Sequence, residues 1–279
     1  MKKVFALGLC LALAGGAFAD FVVTGAGPYD SNGPLGDAGN AVFTQQYTGA
    51  DTFFGSMVFA GDLTEVNTGT YASEARWNVR NELFTGGINY QMSSTGNFDG
   101  TLHIDAAFAG LLVWANMNDS FRFEAFESYD DSGLDAQWTD ISFNFADFTG
   151  AITDLGTFAA GSFDINSFGS AFDTELALYT AAGALIATND DAGGELQSQI
   201  LADLTDGDYI VLLGGYNSQF VDGLALAGTA AGDYILDVNG TQMTGALAAS
   251  EFAIFSFTIP EPATLTLLAL GALGLIRRR

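Results

Sequence analysis

Between Asp20 and Ile259 the chain has no lysine, no cysteine, one histidine and two prolines. The missing thiol removes disulfides, thiolate nucleophiles and thiolate-bound metals from the body; the only cysteine, Cys10, lies in the N-terminal leader. With His103 alone and no cysteine, a catalytic triad could come only from Ser-Lys-type variants, and the body has no lysine. Positive charge is nearly absent as well. Arg76, Arg80 and Arg122 face 32 of the 33 acids, a charge near −29 for this stretch. A nucleic-acid partner needs a basic footprint, so that class is excluded. Anionic lipid would be repelled, and divalent cations or basic partners are the electrostatically favoured company.

What the chain does have argues for a folded β protein. Hydrophobic residues make up 49% of the sequence and Phe alone numbers 24, too many for a disordered chain. The 35 glycines point to frequent turns. The apolar period is two rather than 3.6. "FRFEAFE" puts Phe121, Phe123 and Ala125 on one face, "ISFNFADF" aligns Ile141, Phe143 and Phe145, and "FAIFSFTI" aligns Ala253, Phe255, Phe257 and Ile259. "YIVLLGGY" (209–216) is continuously apolar, as expected of a strand covered on both faces. "ELQSQILADL" (195–204) has some helical spacing and is read as strand. The fold class expected is all-β, an antiparallel β-sandwich or jelly roll, flanked by an N-terminal signal helix and a C-terminal hydrophobic helix. "FVVTGAGPYDSNGPLGDAGN", at the start of the body, is turn-rich and expected to be loosely ordered. "DGDYIVLLGG" (206–215) is echoed by "AGDYILDVNG" (231–240), a weak internal repeat.

The two ends read as addresses. Lys2 and Lys3, an apolar core and "AFA" before Asp20 form a three-part signal peptide over 1–19, cut after Ala19 by the small-residue rule that Ala17 and Ala19 satisfy. At the other end, Pro260-Glu261-Pro262 is followed by a 14-residue apolar run (263–276) and then by Arg277, Arg278 and Arg279. The run would span about 21 Å as a helix, short of the hydrocarbon core, and snorkelling arginines extend it. The ordered arrangement of tripeptide, apolar helix and basic cluster resembles the PEP-CTERM sorting signal of bacteria with exosortase systems. The resemblance implies processing by signal peptidase and exosortase, a transient inner-membrane anchor, and release to the cell surface or extracellular matrix. The chain then divides into a signal peptide (1–19), an N-terminal β-rich region (20–152), a second β-sandwich region (153–259) and the sorting signal (260–279).

One stretch carries chemical content. "FDTELALYTAAGALIATNDD" (172–191), with the later "DGDYIVLLGGY", resembles bacterial pre-peptidase C-terminal β-sandwich domains through Asp173, Leu176, Leu178, Tyr179, Gly183 and the Asn189-Asp190-Asp191 corner. The resemblance implies a non-catalytic accessory or adhesive module, some of whose kind bind Ca²⁺ at the acidic corner. Calcium takes six to eight oxygens, often from clustered Asp and Asn, and Asp173 would join Asn189, Asp190 and Asp191 if the strands pair as a hairpin. The competing reading is a plain Asx corner whose side chains bond their own backbone. EF-hand spacing is absent.

His103, between Leu102 and Ile104, reads as a structural histidine. Trp77, Trp114 and Trp138 could stack on a sugar, but aromatic residues on strands usually fill cores. A carboxylate pair for glycoside hydrolysis could be drawn from any two of the acids, and no spacing selects one. The expectation is therefore an exported, non-enzymatic structural or adhesive protein. A calcium- or polysaccharide-binding module is the second reading, and a carboxylate-based secreted hydrolase the third.

Overall fold

A computed structural model describes residues 21–50, 52–83, 85–129, 133–192 and 196–261. Among them the chain is all-β. No helix among the described residues is long and apolar enough to cross a membrane. The expected signal helix and the apolar run 263–276 lie outside the described residues.

The first ten strands are β1 (Phe21–Gly25), β2 (Tyr29–Ser31), β3 (Val42–Gln46), β4 (Thr52–Glu65), β5 (Ala75–Asn81), β6 (Ile88–Gln91), β7 (Thr101–Phe108), β8 (Leu111–Ala115), β9 (Ser120–Glu127) and β10 (Ala136–Asp147). The next six are β11 (Ile152–Thr157), β12 (Gly161–Asn166), β13 (Thr174–Thr180), β14 (Leu185–Asn189), β15 (Gln199–Leu204) and β16 (Gly207–Gly215). The last five are β17 (Gln219–Val221), β18 (Leu224–Leu226), β19 (Gly232–Val238), β20 (Thr241–Leu247) and β21 (Ala253–Ile259).

They form four sheets in two facing pairs. In the first pair, an eight-stranded sheet ordered β1-β10-β4-β8-β18-β17, with β2 also on β10 and β7 on β4, faces the sheet β3-β9-β5-β6. Between them lies an aromatic core. Phe143 packs against Trp77 and Phe123 at ring-centroid distances of 5.3 and 4.8 Å, and Phe59 meets Trp138 edge-on at 5.3 Å. Edge-to-face contacts of this kind suit the ring quadrupole better than a face-on sandwich. In the second pair, β11-β21-β16-β13-β14 faces β15-β12-β19-β20. The doubtful segment 195–204 forms strand β15 over its second half, because Ile200 and Leu204 alternate into this second core.

The run 209–216 shows why continuous apolarity signals double burial. Tyr209, Val211 and Leu213 of β16 face the second core, whereas Ile210 and Leu212 face a third cluster that also holds Leu112 and Trp114 of β8. That third cluster joins the two sandwiches. Tyr179 of β13 packs against Trp114 in a tilted arrangement with ring centroids 4.7 Å apart, and its hydroxyl donates to Val221 and Leu224 carbonyls, each at 3.2 Å. Trp114 Nε1 donates to the Ala181 carbonyl. The hairpin β17–β18, drawn from the C-terminal half, adds to the N-terminal sheet by pairing Leu224 with Val113. Two sandwiches thus share a strand junction and a buried seam.

The echoed segments are β16 and β19, which lie in opposite sheets of the second sandwich. Each begins on a glycine in a backbone region that side chains rarely adopt, Gly207 (φ 150°) and Gly232 (φ 156°), and each places a tyrosine two residues later against the same core. The turn-rich start of the body is not loose, contrary to the sequence expectation. Phe21 and Val23 of β1 are buried, and the loop 32–40 is held by Glu124, whose Oε1 accepts from Gly36 N (2.6 Å) and Asn40 Nδ2 (3.1 Å). The anchoring carboxylate lies 88 residues away from Gly36 in the chain, so local composition could not reveal it.

Candidate metal centre and sorting signal

Strands β13 and β14 pair antiparallel, with Leu176 opposite Asn189. That hairpin brings the residue before β13, Asp173, beside the corner after β14, Asp190 and Asp191. A buried hydroxyl network fixes the corner from beneath. Ser167 Oγ and Thr174 Oγ1 lie 2.6 Å apart, Ser198 N donates to Ser167 Oγ, and Ser198 Oγ reaches the carbonyls of Thr174 and Asp190. All three hydroxyl residues are fully buried. Single serines far apart in sequence gave no signal of this network.

Carboxylate oxygens of Asp173, Asp190 and Asp191 all lie within 4.8 Å of one another. Asp173 Oδ1 is buried with no hydrogen-bond partner. Partial burial, then the charges of Asp190 and Asp191, push the Asp173 carboxyl above its ordinary range. Asn189, the last residue of β14, adjoins Asp190 at the same corner. Its Oδ1 accepts from Gln199 N at 2.8 Å and its Nδ2 donates to the Asp191 carbonyl, tying the corner to β15. Asn189 therefore shapes the corner, and the three aspartates supply the charge.

A further carboxylate, unforeseen in the sequence, adjoins the group. Glu175 of β13 is only 7% exposed, and its Oε1 accepts from Asn217 N at 2.7 Å. Burial, reinforced by Asp190 and Asp173 and opposed by the Asn217 N–H, raises its carboxyl to about 7. Glu175 lines an open groove of about 700 Å³ together with Asp190, Asn217, Gln219 and the half-exposed Tyr216. By alternation with Leu176 and Leu178, Glu175 reads as an outward position, and only the folded structure buries it, in a strand buried at six of its seven positions.

The other candidates resolve simply. His103 is exposed on β7, its Nδ1 2.5 Å from Asp62 and its Nε2 3.6 Å from Asp105, and the Asp62 hydrogen bond chiefly raises its pKa. Trp77, Trp114 and Trp138 are buried and present no platform for a sugar.

At the C-terminal side, β21 is paired through to its last residue, Ile259, which is buried opposite Gly207. Pro260 and Glu261 follow, exposed. The family model for the PEP-CTERM protein-sorting motif matches residues 258–279. The chain carries a PEP-CTERM sorting motif. It is thereby an exosortase-sorted exported protein, with the exosortase as processing partner and a membrane-anchored transit before it reaches the outside. Of the residues read as addresses, Pro260 and Glu261 are described; Ala17, Ala19, Asp20, Pro262, Arg277, Arg278 and Arg279 lie outside the described residues. No curated protein matches the chain.

Proposed function

We propose that the double sandwich is a non-catalytic structural or adhesive component of the cell surface or extracellular matrix, delivered by signal peptidase and then by the PEP-CTERM route. The observation that carries this reading is the sorting motif following directly on the last core strand. It is supported by the body's chemistry: its one histidine is spent in a surface ion pair, and it has neither lysine nor cysteine. A strongly acidic surface also opposes re-adsorption to anionic lipid once the apolar tail is gone. The test is fractionation of native cultures with and without the exosortase. The body should accumulate outside only when the exosortase is present, and should release no sugar from a glycan panel.

Asp173, with its orphaned buried oxygen, favours a second reading that refines the first. An all-oxygen set with no nearby base suits a hard cation, and Asp173, Asp190 and Asp191 would hold Ca²⁺. A bound cation would satisfy Asp173 Oδ1 and offset three converging negative charges, stiffening the corner for adhesion to a surface polysaccharide. Millimolar Ca²⁺ should raise the unfolding temperature by several degrees, reversibly with chelator. Asp190→Ala should abolish the shift; an equal shift in that variant refutes the assignment.

A further inference from the structure

Strand β20 closes one edge of the sheet β15-β12-β19-β20 and pairs only with β19. The register runs from Gly232 opposite Leu247 to Val238 opposite Thr241 with no bulge, and Asn239 (φ 52°) and Gly240 (φ 88°) form the turn. A two-residue turn with both φ values positive makes Val238 and Thr241 a hydrogen-bonded pair, so Thr241, Met243, Gly245 and Leu247 bond to β19. The N–H and C=O groups of Gln242, Thr244 and Ala246 then point the other way, along the free edge. Proteins guard such edges with lysine, proline, bulges or very short strands. The body has no lysine, and "TQMTGAL" (241–247) has neither charge nor proline. Other sheet edges among the described residues are charged or shorter. β7 carries Asp105, β11 Asp154 and β15 Asp203, and the charge-free edge strands β1, β3, β6, β14 and β17 have five residues or fewer against seven in β20.

We propose that β20 pairs antiparallel with β20 of a second copy of this chain about a two-fold axis at Thr244, joining two four-stranded sheets into one continuous sheet. The strand is complementary to itself in that register. Thr244 faces Thr244, Gln242 faces Ala246, and these residues exchange about six hydrogen bonds across the join. The threonine pair adds a cross-strand contact on the outer face. On the core side Met243 falls opposite Gly245, a long side chain against none. Gly245 has no room for a side chain of its own, since a Cβ there would lie 2.5 Å from the Tyr234 hydroxyl. Met243 of the other copy therefore meets the tyrosine that covers Gly245, a contact that a thioether favours. Charge selects the same edge. Two copies, each with a formal net charge of −25, repel one another and can meet only where the acids stand back. On the outer face of β19, Asp237 lies opposite Gln242 and Asp233 opposite Ala246. Across the join, Asp237 of one copy and Asp233 of the other are three strand spacings apart, about 14 Å. That exceeds the screening length of about 8 Å at physiological salt. A basic strand would find no counter-charge on β20 itself. The pairing depends on neither the sorting route nor a bound cation, and it links exported copies through their second sandwiches.

The test uses the mature protein exported by its native culture, purified and kept in chelator. Sedimentation and amide hydrogen exchange are followed from roughly 1 to 300 µM, a range suited to a small edge-to-edge interface. A monomer–dimer equilibrium should appear and tighten as added salt screens the two acidic bodies. Exchange at the amides of Gln242, Thr244 and Ala246 should slow in the dimer. Thr244→Lys should weaken association at least tenfold at an unchanged unfolding temperature, because two ammonium groups then oppose one another at the axis. Thr244→Pro, which removes only an outward N–H, should do the same. Val22→Lys, on the β1 edge, should leave the equilibrium as it is. A monomer throughout the range overturns the proposal, as does a dimer that keeps its affinity in both Thr244 variants or loses it in Val22→Lys. Protection of the three amides only when culture matrix is added back, with the purified protein monomeric, gives the edge to another partner and overturns the pairing of copies.

Discussion

Glu175 offers the sharpest test of the buried carboxylate pole. Its carboxyl titrates near 7 in the folded protein against an ordinary value of 4.5, because the side chain is almost wholly buried and faces Asp190 and Asp173. A raised folded value means that the folded state holds the proton more tightly than the unfolded chain. The stability tied to that proton is fully present below about pH 4.5 and is lost as the pH rises through about 7. At 1.36 kcal/mol per pH unit, the loss amounts to at most about 3 kcal/mol. Glu175→Gln keeps the shape and the acceptor for Asn217 N but cannot ionise. The variant should match the wild type at pH 4.5 and exceed it by about 3 kcal/mol at pH 8, roughly 6–12 °C in unfolding temperature for a body of this size. Chemical denaturation of both proteins from pH 4.5 to 8, without divalent cations, measures this. The difference between the two curves is the quantity to read, since Asp173, His103 and the general negative charge impose slopes of their own on both. Parallel curves across the range would refute a desolvated Glu175.

Three further outcomes follow from the packing. Gly183→Ala should destabilise by about 2–3 kcal/mol in denaturant unfolding, because φ is +95° there and a new Cβ would lie 2.7 Å from Trp114 Cγ at the seam. Tyr179→Phe should cost about 1–2 kcal/mol in the same assay by leaving the Val221 and Leu224 carbonyls without their donor. Glu124→Ala should cost about 3 kcal/mol and speed amide exchange at Gly36, since it strips the loop of its acceptor and leaves Arg122 without its partner.

The sequence alone settled the fold class and the address. Period-two alternation in segments such as 121–127 and 252–259 needs no knowledge of partners, because a strand alternates its faces whatever it pairs with. The sorting motif is equally local, a contiguous run of proline, apolar and basic residues. Proximity of Asp173 to Asp190 and Asp191 was legible conditionally, through a hairpin whose turn lies within a few residues of both strands.

What lay beyond reach depended on pairing over long separations. Asn189 reads as part of the acidic corner, and its tie to β15 through Gln199 N depends on a strand placement that the sequence does not show. Glu175 reads as an ordinary outward residue until the third cluster covers that face of β13. The hairpin at 219–226 looks like a turn of the C-terminal half, and only the exposed ladder of β8 explains its transfer to the other sandwich. Composition and periodicity report what each strand can bury. Which strand, loop or carboxylate does the burying is decided by register and sheet order, and those exist only once the whole chain has closed on itself.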